Sequence, residues 1–181
     1  AESTDFDSVI PAVLTGRAEL AAAGMTVTEA RKEIVDFSIP YARTGIVAIS
    51  RKERPFRGVD GLGRMRIGVQ SGTTSEIYVR EKLHREPLGF WSAEDAVDGL
   101  KAGRCDFVIA DECVARHCQK INPDLDLSDL LTTEEYAIAI AKGQPKLLKS
   151  INEAIADLKA GGQIGKWTED YMAEAVRQKD E

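Results

Sequence analysis

The sequence predicts an α/β protein, and three observations carry that prediction. Between residues 65 and 120, short Val/Ile-rich runs alternate with apolar residues at helical spacing, the texture of strand–helix–strand units. The stretch 51–63, RKERPFRGVDGLG, is charged and punctuated by Gly and Pro, so it divides the chain into two parts. The length of 181 residues, 43% hydrophobic and 30% charged, suffices for one ordinary domain or two small lobes and argues against disorder and repetitive folds.

Each element follows in order. Phe6, Val9, Ile10, Val13 and Leu14 fall at i, i+3, i+4 spacing after Asp5 and Asp7, which predicts a first helix stopped at Gly16. Ala18–Ala23 reads as a short buried strand, 28–32 (TEARK) as a turn, 34–41 as an irregular apolar segment, and 44–50 (TGIVAIS) as a strand. Beyond the 51–63 divide come a strand at 65–70 (MRIGVQ), the turn 71–74 (SGTT) and a helix over 75–84. A short strand near Phe90 and Trp91 leads to a helix over 93–102 closed by Gly103. CDFVIA at 105–110 is another buried strand, followed by a helix to Lys120, ahead of Asn122 and Pro123. This alternation predicts a parallel layer with right-handed crossovers. YAIAIA at 136–141 is a strand, Pro145 starts a helix to Lys159, and Gly161-Gly162 separate it from a last helix through Trp167, Tyr171 and Met172.

Composition also excludes function classes. With 24 Lys+Arg against 30 Asp+Glu the formal charge is -6, and the basic residues are scattered among acids, so nucleic acid is not an expected partner. No apolar run approaches the roughly 20 residues of a membrane span. Residues 1–5, AESTD, show neither a basic nor an apolar signal region. Cys105, Cys113 and Cys118 lack CxxC spacing, which argues against zinc and leaves two readings: unbridged thiols, or a bridge involving Cys105. His84 and His117 fall on charged helix faces and read as solvated. No motif for a catalytic nucleophile, metal or nucleotide cofactor is present.

Three strand exits are chemically loaded, and in parallel sheets ligands collect beyond such exits. Gly24-Met25-Thr26 with Arg31 offers bare backbone, a hydroxyl and a guanidinium that can grip a carboxylate. Ser71-Gly72-Thr73-Thr74 offers amides and hydroxyls at a helix start. Asp111 is an acid following the apolar 107–110 run. Together they suit a zwitterion; singly, Arg31 also fits a surface residue, and Thr73, Thr74 and Asp111 fit helix caps.

Five motifs in order carry a resemblance: DFDSVIPAV (5–13), AGMTVTEARKEIVDFSIPY (23–41), RIGVQSGTTSEIYV (66–79), AVDGLKAGRCDFVIADE (96–112) and INEAIADLKAGGQIGKWTEDYM (151–172). With them the chain resembles the family 3 extracellular solute-binding proteins, amino-acid-binding components of ABC importers that also serve as sensor ectodomains. The resemblance implies a type II periplasmic-binding-protein-like fold of two α/β lobes. Lobe 1 would comprise 1–47 and 140–181, lobe 2 would comprise 52–131, and 44–51 and 134–141 would be hinge strands. It further implies that Phe6 packs on the ligand side chain, that Gly24 and Thr26 bind its ammonium or carboxylate, and that Arg31 holds the α-carboxylate. Thr73 and Thr74 would donate to that carboxylate, and Asp111 would take the α-ammonium.

The family normally begins with a strand, a helix and a second strand ahead of the DFD segment. Lobe 1 is therefore expected to be N-terminally truncated, and either completed by a second copy of the chain or part of a longer receptor. The implied function is binding of a small amino acid or related zwitterion, with no cofactor or metal. The implied partner is an ABC permease or receptor membrane subunit, and the implied location is periplasmic or extracellular, after removal of a signal. Two other readings stand beside it: an enzyme like the cyclohexadienyl dehydratases on the same scaffold, with Glu112 or Glu76 as the acid, and an interaction module whose cleft no longer binds.

Overall fold

The computed structural model describes residues 5–177; residues 1–4 and 178–181, which the expected first lobe includes, lie outside the description. A short 3-10 turn, Phe6–Ser8, leads into α1 (Val9–Leu14), followed by β1 (Leu20–Ala21), α2 (Glu29–Lys32), β2 (Val35–Phe37), β3 (Ala42–Thr44) and β4 (Ile46–Arg51). Next come β5 (Ile67–Gln70), α3 (Thr74–Ile77), β6 (Leu88–Phe90), α4 (Ala93–Lys101), β7 (Phe107–Asp111) and α5 (Glu112–Ile121). The chain finishes with β8 (Leu125–Leu127), β9 (Glu134–Tyr136), β10 (Ala139–Ala141), α6 (Pro145–Ala160) and α7 (Gln163–Arg177). Two compact units result: the residues up to Arg43 with Glu134–Arg177, and Thr44–Thr133.

The second unit is built on a five-stranded sheet of order β6-β5-β7-β4-β8. Both of its faces are covered, which explains the unbroken apolar runs in the sequence. Along β4 and β7 alternate side chains enter opposite cores, Val47, Ile49, Val108 and Ala110 on the side of α4 and α5, and Ile46, Ala48, Phe107 and Ile109 on the side of Leu62 and Val79. The expected parallel layer is in fact mixed. β5 pairs in parallel with β6 and β7, but β4 runs antiparallel to both β7 and β8. β4 is inserted between strands of the opposite direction because IVAIS is apolar on both faces and must be buried on both.

The expected helix over 75–84 also departs from its pattern. After α3 the chain widens into π-helical turns over Tyr78–Lys82 and ends at His84 with φ 51°. The wider turns keep Val79 fully buried while Arg80 on the same stretch pairs with both Glu76 and Glu86. His84 is exposed as expected but sits on no helix face, and His117 on α5 is half-buried rather than solvated.

The first unit holds a three-stranded antiparallel sheet of order β1-β10-β2. Val13, Ala21, Met25, Val35 and Ala139 form one core, and Ile140, Ile151 and Ile155, the latter two from α6, form another. The expected buried strand at 18–23 shrinks to two residues at the sheet edge, with Leu20 39% exposed. The expected strand at 136–141 is split into β9 and β10. At the break Ser38 intervenes: its Oγ accepts from the Ile138 amide at 2.9 Å while its own amide donates to the Ile138 carbonyl. β9 pairs with β3 in a separate two-stranded ribbon.

Candidate functional site

In the first unit, four residues singled out in the sequence converge. α2 opens at Thr28, whose hydroxyl accepts from the Arg31 amide at 3.2 Å, and this cap fixes the turn that points Arg31 inward. The Arg31 side chain is buried, with 9% exposure. Its Nη1 donates to the Thr26 carbonyl at 2.8 Å, and its guanidinium carbon lies 5.5 Å from the centroid of the Phe6 ring. A buried guanidinium needs such partners, because an isolated buried charge is costly. The reading of Arg31 as a surface residue is thereby corrected: three-residue spacing from the Thr28 cap turns it away from the solvated Glu29–Lys32 pair.

Thr26 itself sits in an isolated antiparallel bridge with Tyr136. On either side the Val27 amide donates to Glu135 and the Ala137 amide to Met25, so the N–H and C=O of Thr26 point out of the ladder, on the side where Arg31 lies. The Thr26 hydroxyl donates to Glu134 Oε2 at 2.7 Å. Gly24 has φ 61°, a conformation that suits glycine, and its amide donates to the Tyr41 hydroxyl at 3.2 Å. The Tyr136 ring approaches within 3.5 Å of where a Gly24 side chain would start. Glu134, Tyr41 and Tyr136 are members of this constellation that sequence reasoning did not select. The sequence signal for Glu134 and Tyr136 was the acidic and aromatic EEY preceding an apolar strand, and Tyr41 closes the 23–41 motif.

In the second unit, Thr73, Gln70 and Asp111 line one small recess together with Ser75 and Ile109. Thr73 occupies the N-cap position of α3, but its hydroxyl donates to the Gln70 carbonyl at 2.8 Å rather than capping. Asp111 likewise precedes α5 without its carboxylate accepting a cap hydrogen bond. The helix-cap reading of both residues is therefore corrected: each sits at the cap position with its side chain turned elsewhere. Thr74 is buried beside Thr73 but does not line the recess. Ser75, 1% exposed, has a hydroxyl with no hydrogen-bond partner among the described residues, and sequence reasoning did not select it.

Glu76 and Glu112 are tied to neighbouring cations. Glu76 Oε2 accepts from the Gly72 amide at 2.7 Å and Oε1 pairs with Arg80 at 3.0 Å; Glu112 pairs with Arg116 at 2.6 Å. Cys105 and Cys118 are buried, Cys113 half-buried, and no disulfide joins them. Burial, reinforced by Glu94, pushes the Cys118 thiol up to about 12. Among the described residues no group of three His, Cys, Asp or Glu is placed to hold a metal ion.

Known proteins resemble this chain in sequence and in fold. The family described as bacterial extracellular solute-binding proteins, family 3, matches residues 1–174. A probable histidine-binding protein of Neisseria gonorrhoeae is 31% identical over 93% of this chain and 66% of its own length. The ABC transporter arginine-binding protein 1 of Escherichia coli is 31% identical over 92% of this chain and 71% of its own length. Among solved structures, an amino acid ABC transporter substrate-binding protein of Streptococcus pneumoniae, bound to L-arginine, superposes with TM-score 0.91 at 29% identity, covering 97% of this chain and 76% of that one. The chain thus spans roughly two thirds of the curated relatives it matches.

Proposed function

The chain belongs to the family 3 bacterial extracellular solute-binding proteins, and from that membership we propose that it binds an amino acid or related zwitterion outside the cytoplasm and presents it to an ABC permease. The single observation that carries the reading is the buried Arg31, held by Thr26 and Phe6 next to the outward N–H of Thr26. A fixed guanidinium beside an amide donor is suited to the two oxygens of an α-carboxylate. Gly24 completes the wall with a residue that leaves the backbone bare. Thr73, Thr74 and Asp111 are proposed as the ligand-binding residues of the second unit, the threonines presenting their amides to the carboxylate, since the Thr73 hydroxyl proton is committed to the Gln70 carbonyl, and the acid taking the ammonium. The strands flanking the two chain crossings, within 44–51 and 134–141, are proposed as hinges, with closure on the ligand as the transport-competent state.

The relatives named for histidine and for arginine direct the choice of ligands to test. Titration calorimetry with L-arginine, L-histidine and L-glutamine is expected to give saturable one-to-one heat with at least one of them. A sample that is folded by circular dichroism and gives no heat with any amino acid would overturn the reading.

A further inference from the structure

Thr26 carries two opposite hydrogen-bonding commitments. Its carbonyl accepts from Arg31 Nη1 at 2.8 Å, and its hydroxyl donates to Glu134 Oε2 at 2.7 Å. A threonine hydroxyl has a single proton and two acceptor positions, so a proton given to a carboxylate leaves the oxygen as an acceptor. A carboxylate acceptor makes that donation short and strong, and the low exposure of Thr26, 5%, keeps water from competing. Thr26 therefore stands between a cation and an anion, Arg31 on its carbonyl side and Glu134 on its hydroxyl side.

We infer that Glu134 is a specificity-determining positioning residue, which fixes the Thr26 hydroxyl as an acceptor so that the first unit itself distinguishes an α-ammonium group from a ligand lacking one. The inference rests on the amino-acid-binding reading above and adds to it a residue outside the set proposed from sequence. A ligand carboxylate on Arg31 would bring its α-substituent next to the Thr26 side chain. An ammonium there donates to Oγ1 and gains the negative field of Glu134. A methylene there leaves the buried Thr26 hydroxyl oxygen without a donor, and unpaired buried groups are what give polar sites their selectivity.

The test compares each of L-arginine, L-histidine and L-glutamine with its analogue lacking the α-amino group, by calorimetry on the whole chain. In the wild-type protein the amino acid is expected to bind roughly a hundredfold more tightly than the analogue. Glu134→Gln is expected to cut that preference by roughly tenfold or more while changing affinity for the analogue little, since the glutamine amide no longer forces the hydroxyl to donate. Thr26→Val is expected to cut it similarly and Thr26→Ser to retain it, which keeps the test available should Glu134→Gln not fold. A preference that stays within about twofold of wild type in Glu134→Gln and Thr26→Val overturns the inference and leaves the binding reading intact, because a merely structural brace would weaken both ligands equally. A folded wild-type chain that binds neither ligand of any pair overturns both.

Discussion

The guanidinium carbon of Arg31 lies 5.5 Å from the centroid of the Phe6 ring. Phe6 belongs to the first turn of the described chain and Arg31 to the capped turn of α2, so two local motifs are joined by one cation–π contact. The ring covers one face of the cation, and hydrogen bonds leave from its planar edge, Nη1 donating to the Thr26 carbonyl. Arg31→Ala is expected to weaken amino-acid binding by roughly a hundredfold, and Arg31→Lys by roughly tenfold, because an ammonium cannot reproduce the planar fork. Calorimetric dissociation constants decide; an unchanged constant in Arg31→Ala would remove this residue from the site.

Much of this was legible in the sequence, for identifiable reasons. Phe6, Gly24, Thr26 and Arg31 lie within 26 positions of one another, and their chemistry is readable from local motifs: a capped turn, a glycine and a bare hydroxyl. Glu134 escaped because its hydrogen bond to Thr26 spans 108 positions and its neighbours read as an ordinary strand start. The strands of the second unit were visible as β-branched runs, but the direction of β4 was not, since an apolar strand reads alike in either orientation. The π-helical stretch at Tyr78–Lys82 was likewise hidden, because a hydrophobic pattern does not report whether a turn closes on the fourth or the fifth residue.

Gly45 makes a tighter demand on the second unit than any glycine at the site. A Cβ there would stand 2.0 Å from the Thr132 carbonyl oxygen and 2.8 Å from Leu130 Cδ2. The carbonyl cannot retreat easily, since the Thr132 hydroxyl accepts from the Ile46 amide and the Leu131 amide donates to the Ile46 carbonyl at 2.7 Å. Gly45→Ala is expected to destabilise the protein by about 3 kcal/mol, at the upper end of overpacking costs. Urea denaturation followed by far-UV circular dichroism measures it, and a loss below about 1 kcal/mol would show that the loop yields.

Cys118 and Cys105 are buried thiols, and burial pushes both above the ordinary range, Cys118 to about 12. The thiolate is the reactive form, so each is expected to resist alkylation while the protein is folded. Iodoacetamide at pH 8, followed by peptide mass spectrometry, is expected to modify both in denaturant and neither in native buffer over the same period. Rapid labelling of Cys118 in the folded protein would contradict its burial against α4.

Asp106 contributes stability that depends on pH in a fixed direction. Its carboxylate accepts from the Arg66 amide at 2.8 Å, from Arg66 Nε at 3.4 Å and from Arg54 Nη1 at 3.2 Å. The Arg66 amide foremost, and the Arg66 and Arg54 guanidinium groups after it, hold this carboxyl below its ordinary value despite partial burial. A carboxyl that is more acidic in the folded state stabilises that state above the unfolded pKa, near 3.9, and loses the contribution as pH falls through the folded value. Asp106→Asn removes the charge while keeping the shape. The variant is therefore expected to be less stable than wild type by about 1–2 kcal/mol at pH 7, and the gap is expected to narrow as pH falls below the unfolded value, because the lowered folded pKa makes unfolding take up a proton there. Urea midpoints at pH 7 and near pH 2.5 give the comparison; an equal gap at both would mean that Asp106 acts through its shape rather than its charge.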